Sequence, residues 1–81
     1  MRIMEIAMPV IERQFSGQRV REAREHLGLS RQSVAVALRV TYHTVMNWEE
    51  GFTAPHINRM TELAQFLECD VFDFFVEVNG D

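Results

Sequence analysis

Residues Ser30 to Gly51 read SRQSVAVALRVTYHTVMNWEEG, and the fold turns on how this stretch is parsed. Ser30 is a helix-capping residue, and Val34, Ala35 and Leu38 follow at helical spacing. Arg39 and Val40 break the run as a turn. Thr41 caps a second helix, in which Val45 and Trp48 fall on the inner face and Gly51 is the stop. Two short helices joined by a tight turn need a small residue where they touch, and Ala35 occupies that place. They also need apolar inner faces, which Val34, Leu38, Val40, Val45 and Trp48 supply. The second helix then leaves Tyr42, His43, Thr44, Met46 and Asn47 free. An ordinary helical hairpin has the same burial pattern, so this stretch by itself does not separate the two.

Outward from it, punctuation places further helices. Ser16 caps a helix carrying Val20, Ala23, Arg24 and Leu27 inward, and Gly28 ends it. After the loop Phe52 to Pro55, a helix from about Ile57 to Leu67 presents Met60, Leu63, Ala64 and Leu67. Asp70 opens a fifth short helix, with Asp73 three residues on as a weak capping box. The expectation is an all-α fold, a compact five-helix domain with short terminal strands or an arm. Residues 1–15 are read as an N-terminal arm or strand, 16–76 as the folded domain and 77–81 as a tail. Met1 to Val10 suits a strand or a disordered arm, and Phe74 to Val78 has strand-like content. If both are strands, they pair with each other or across a dimer.

Length and composition narrow the function. The 81 residues suffice for one small domain. Hydrophobic content of 47% supports a folded core rather than disorder. The one cysteine, Cys69, excludes an internal disulfide, and His26, His43 and His56 lie too far apart in sequence to suggest a metal site. The apolar run Ile6 to Ile11 contains Pro9 and is far short of the ~20 residues of a membrane span. Glu5 argues against a signal peptide, and with a lone unpaired cysteine a reducing cytoplasmic setting is expected. No Gly-rich phosphate loop, nucleophile motif or metal cluster appears, so neither enzyme activity nor a cofactor is expected.

The net charge of −4 is unevenly spread. Residues 16–59 carry six arginines against four glutamates, whereas 60–81 carry six acids and no base. This asymmetry allows one face for phosphates and another for a different purpose, or simply a solvated acidic tail.

A joint pattern then carries a resemblance. Val20-Arg21-Glu22-Ala23-Arg24, Gly28-Leu29-Ser30, Val34-Ala35, Val45 with Trp48-Glu49 and Gly51, Pro55, Leu63-Ala64 and Leu67 occur in order. From Gly17 to Phe75 the chain resembles the Cro and lambda-repressor type of helix-turn-helix domain, the XRE family. The resemblance implies a sequence-specific regulator that binds double-stranded DNA, with its recognition helix in the major groove. It further implies a homodimer on a near-palindromic site. Tyr42, His43, Met46 and Asn47 match base-reading positions, and Asn47 suits adenine. Arg24, Arg31, Thr41 and Thr44 match phosphate-contacting positions. Arg24 and Glu49 match a structural ion pair.

Several residues depart from the family pattern. Arg31 stands where glutamine is usual, Arg39 replaces a turn glycine, and Glu50 stands where Asn, Arg or Lys is common. A carboxylate at 50 repels phosphate, so a contact there is not expected. Val71 and Phe74 suit the core, leaving Phe72, Phe75 and Val76 as candidates for a dimer interface. Alternatively, Ile3, Ile6, Met8 and Val10 fold back over them. The competing reading is a protein-interaction module with weak or no DNA binding, whose partner would be a toxin or another regulator. The acidic charge and Glu50 speak for it.

Overall fold

The computed structural model describes residues 12–78. The expected arm over residues 1–10, including any fold-back of Ile3, Ile6, Met8 and Val10, lies outside the described residues. Four α-helices follow one short strand: β1 (Arg13–Phe15), α1 (Gly17–His26), α2 (Arg31–Leu38), α3 (Tyr42–Glu50) and α4 (Ile57–Phe66). A 3-10 turn (Val71–Phe74) and β2 (Phe75–Glu77) complete the described chain.

The three expected caps form. Ser16 Oγ accepts from Arg19 N–H at 3.3 Å, Ser30 Oγ from Ser33 N–H at 3.0 Å, and Thr41 Oγ1 from Thr44 N–H at 3.1 Å. All four helices end alike, on a left-handed residue whose successor bonds back into the last turn. Those residues are Gly28, Arg39, Gly51 and Glu68. The matching bonds run from Leu29 N–H to Arg24 O, Val40 to Ala35, Phe52 to Asn47 and Cys69 to Ala64, at 2.9 to 3.1 Å. Arg39 sits at φ 60°, so the turn keeps its left-handed backbone without glycine. That conformation costs a side-chain-bearing residue ~1–2 kcal/mol.

The core is one cluster. Val20, Val34, Ala35, Leu38, Val45, Trp48, Leu63, Ala64, Leu67 and Phe74 are all buried within it. Helices α1 and α2 both pack on α3, and α2 also packs on α4. Among the described residues the helix count is four, not the expected five. The segment after Asp70 is only a 3-10 turn, because Phe75 leaves it in extended conformation to pair with β1. In that turn Asp70 N–H donates to Asp73 Oδ2 at 3.0 Å.

The fold is therefore not purely helical. Strands β1 and β2 pair antiparallel, with Arg13 opposite Glu77, Gln14 opposite Val76 and Phe15 opposite Phe75. The pairing strand begins at Arg13, inside the region read as an arm or strand. Ser16 N–H donates to Phe74 O at 2.7 Å and Val78 N–H to Glu12 O at 2.9 Å, so the ladder joins the two ends of the described chain. Phe15 and Phe75 meet edge-to-face at 6.2 Å. Of the expected interface residues, Phe75 and Val76 are half-buried and Phe75 packs against its own core. Phe72 is 78% exposed.

Gly17 marks the closest approach of two backbones. A Cβ there would lie 2.1 Å from the Trp48 carbonyl oxygen and 2.6 Å from that of Glu49. The start of α1 is thus pressed on the end of α3. Gly17→Ala is expected to force the helices apart and lower stability by about 1–3 kcal/mol, the usual cost of overpacking. Urea unfolding of the two proteins checks this.

Candidate nucleic-acid interface

The leading side chains of α3 point outward. Tyr42 is 46% exposed, His43 is exposed, and Met46 and Asn47 are half-buried. Val45, Trp48 and Glu49 fall on the buried side. This division follows from the 3.6-residue period: positions 45, 48 and 49 share one face. Tyr42 interacts through its hydroxyl with the Arg31 guanidinium, whereas among the described residues the side chains of His43 and Asn47 make no hydrogen bond. They are free to meet a ligand's donors and acceptors. Thr41 and Thr44 lie beside them, with their hydroxyls bonded to each other at 2.9 Å as part of the cap.

What holds α3 in place is a buried charge cluster. The Glu49 side chain has no solvent exposure and takes three bonds from arginine. Arg24 Nε donates to Oε2 at 2.6 Å and Arg24 Nη2 to Oε1 at 3.0 Å. Arg31 Nε donates to Oε1 at 2.9 Å. Arg24 Nη1 also donates to Leu29 O at 2.8 Å. One carboxylate therefore ties α1, the start of α2 and the end of α3 together. Arg31 Nη2 reaches on to Glu50 Oε2 at 3.4 Å.

Two expectations change here. Arg24 was matched to a phosphate-contacting position, but it is 8% exposed and each of its guanidinium nitrogens is bonded within the chain. Its role is structural, because Glu49 draws the fork inward. Arg31 sits between the two roles, bonded to both Glu49 and Glu50 with 17% of its side chain exposed. The expectation for Glu50 concerned only repulsion, and its pairing with Arg31 was not foreseen. A third contact was also missed. Arg59 Nη1 donates to Leu38 O at 2.7 Å, capping the end of α2 from α4, and to Glu62 at 2.9 Å. The Arg59-to-Glu62 spacing was a legible signal for the second bond, but nothing local points to Leu38.

The cluster sets its own protonation. Burial by itself would push the Glu49 carboxyl up, but the bonds from Arg24 and Arg31 outweigh it and hold Glu49 below its ordinary range. The same bonds raise both arginines, Arg31 with a further contribution from Tyr42.

Known proteins share this fold. Residues 20–74 match the family described as helix-turn-helix. An uncharacterized HTH-type transcriptional regulator of Sinorhizobium medicae is 29% identical over 65 residues, 80% of this chain and 47% of that protein. The HTH-type transcriptional regulator DicA of Escherichia coli is 32% identical over 53 residues, 65% of this chain and 39% of DicA. The chain thus spans under half the length of these curated relatives. Among solved structures, the P22 c2 repressor in complex with a synthetic operator superposes with a TM-score of 0.68. That match covers 73% of this chain and 89% of the repressor, and at 24% identity it is a likeness of fold. The restriction-modification controller protein C.AhdI of Aeromonas hydrophila gives a TM-score of 0.67 at 28% identity, covering 72% of this chain and 88% of that one.

A lowered Glu49 means the folded state holds its proton less tightly than the unfolded chain does. The stability this contributes is complete above the ordinary value of 4.5 and is lost as pH falls through the depressed folded value. Thermal unfolding from pH 7 downward should show an acid limb that is shallower in Glu49→Gln. At neutral pH, Glu49→Ala should cost about 3–5 kcal/mol by stranding the buried Arg24 and taking one of the two carboxylates from Arg31.

Proposed function

Because the chain belongs to the helix-turn-helix family, we propose that it is a sequence-specific regulator of transcription that binds double-stranded DNA with α3 in the major groove. The observation that carries this reading is the division of α3. Tyr42 and His43 are exposed, Met46 and Asn47 are partly so, and Glu49 and Trp48 pin the opposite face. A helix held this way presents its leading side chains to base edges with little loss of side-chain or backbone freedom on binding. Tyr42, His43, Met46 and Asn47 are the proposed readers. The amide of Asn47 can donate to and accept from adenine in a bidentate pair. Arg31, Thr41 and Thr44 are the proposed phosphate contacts. Two solved structures of similar fold, a repressor in complex with a synthetic operator and a restriction-modification controller protein, are consistent with this use.

A single unit of this size reads few base pairs, so the working form is taken to be a homodimer on a near-palindromic site. Phe72 supports this. An aromatic ring 78% exposed is an apolar surface that a second copy would cover.

Selection from a random-sequence duplex pool is expected to enrich a near-palindrome, and no enrichment at low salt would favour the interaction module instead. Asn47→Ala should relax preference at one position in each half-site, losing about 1–3 kcal/mol of discrimination. Arg31→Ala should weaken all sequences about equally. Identical behaviour of the two variants would overturn the assignment of reader and positioner. In gel filtration Phe72→Asp should elute as monomer under conditions where the parent protein is a dimer.

A further inference from the structure

Arg31 stands at the edge of the buried cluster, and its two inward contacts differ in kind. Nε donates to a carboxylate oxygen of fully buried Glu49 at 2.9 Å. Nη2 donates to Glu50 at 3.4 Å, and the Glu50 side chain is 45% exposed. The first bond is short and shielded from water. The second is long for a charge-assisted bond, whose usual length is about 2.7–2.9 Å, and solvent screens it. Successive residues on a helix point about 100° apart, which follows from 3.6 residues per turn. Glu49 therefore turns into the core while Glu50 turns to the rim, and Arg31 bridges them.

The charges of the cluster also matter. Arg24 and Arg31 are balanced by Glu49 and Glu50. Remove Glu50 and the cluster carries one net positive charge, on the arginine nearest the surface. No bond from Arg31 Nη1 is present among the described residues. Nη1 and Nη2 together form the edge of the fork that takes two phosphate oxygens in parallel. Glu50 holds one half of that edge.

We propose that Glu50 is an internal stand-in for a DNA phosphate: its carboxylate occupies the guanidinium edge of Arg31 and must be displaced before Arg31 can contact the DNA backbone. This rests on the DNA-binding reading above. It makes Glu50 a brake on affinity for all sequences and leaves base preference to α3. Displacement is feasible because the Arg31–Glu50 bond is the long, exposed one, while the Arg31–Glu49 bond keeps the side chain anchored during the exchange.

The test is a double-mutant cycle on Glu50 and Arg31, using a duplex of scrambled sequence and the duplex selected from the pool. Binding is measured at salt concentrations from about 50 to about 200 mM. Glu50→Gln should bind both duplexes several-fold more tightly, with the salt slope steeper by ~0.9, the value for one further neutralised phosphate. In the Arg31→Gln background, Glu50→Gln should change binding by less than about twofold. Thermal unfolding of each variant identifies any that fail to fold, and Arg31→Lys then replaces Arg31→Gln, since lysine keeps the charge but lacks the fork. An equal gain with and without Arg31 would show a plain charge effect and overturn the proposal. So would no gain from Glu50→Gln in a protein that binds DNA. Absence of DNA binding by all the variants and the parent would instead sink the DNA-binding reading, and the proposal with it.

Discussion

A single buried carboxylate organises this domain. Glu49 has no contact with water and is ringed by Arg24 and Arg31, one from the body of α1 and one from the start of α2. A charge in the interior is tolerated only when it is paired and hydrogen-bonded. Three elements must therefore be in register for the cluster to exist. Apolar contacts are non-directional, so the directional bonds to Glu49 fix the rotation of α3 more closely than the core alone. Gly17 reinforces the choice from the other side, since the start of α1 lies so close to the Trp48 and Glu49 carbonyls that no side chain fits between them. The angle at which α3 presents Tyr42, His43 and Asn47 follows from these two constraints together.

The same cluster fixes where much of the positive charge of this acidic, lysine-free chain is spent. Several of its arginines are used internally. Arg24 is saturated within the fold, Arg31 is half committed, Arg59 caps α2, and Arg21 pairs with Glu25. Among the described residues, only Arg19 and Arg39 hold no carboxylate. Under the proposed function, such a protein would draw less of its affinity from the backbone and more from the bases, and its binding would change only modestly with salt. The balance is set by which carboxylates the arginines already hold.

Much of the helical scaffold was legible because its signals are local. Ser16, Ser30 and Thr41 act as caps through hydroxyls three residues from the N–H they satisfy. Gly28 and Gly51 end helices through a backbone conformation that glycine adopts without penalty. Arg39 adopts the same conformation without glycine, so the turn was identified from its neighbours rather than from its own residue. The periodicity of Val34, Ala35, Leu38, Val45 and Trp48 predicted the inner faces, and each of these residues is buried. The exposure of the α3 leading residues follows from that same period.

The end of the chain was less legible. Val71 to Val76 is rich enough in apolar residues to suit a helix, and a capping signal precedes it. Its conformation was decided by β1, more than fifty residues away, which offers Phe75 a partner strand and Phe15 an aromatic face. The side-chain pairings show the same limit. The Arg24–Glu49 pair was implied by family resemblance, but the inward turn of Arg31 and its hold on Glu50 depend on where three helices meet. Sequence by itself determined what depends on neighbours within one or two turns: the caps, the stops and which helix face is apolar. The tertiary structure alone decided which charge each arginine satisfies and whether the last segment coils or pairs, because those energies come from groups brought together only by folding.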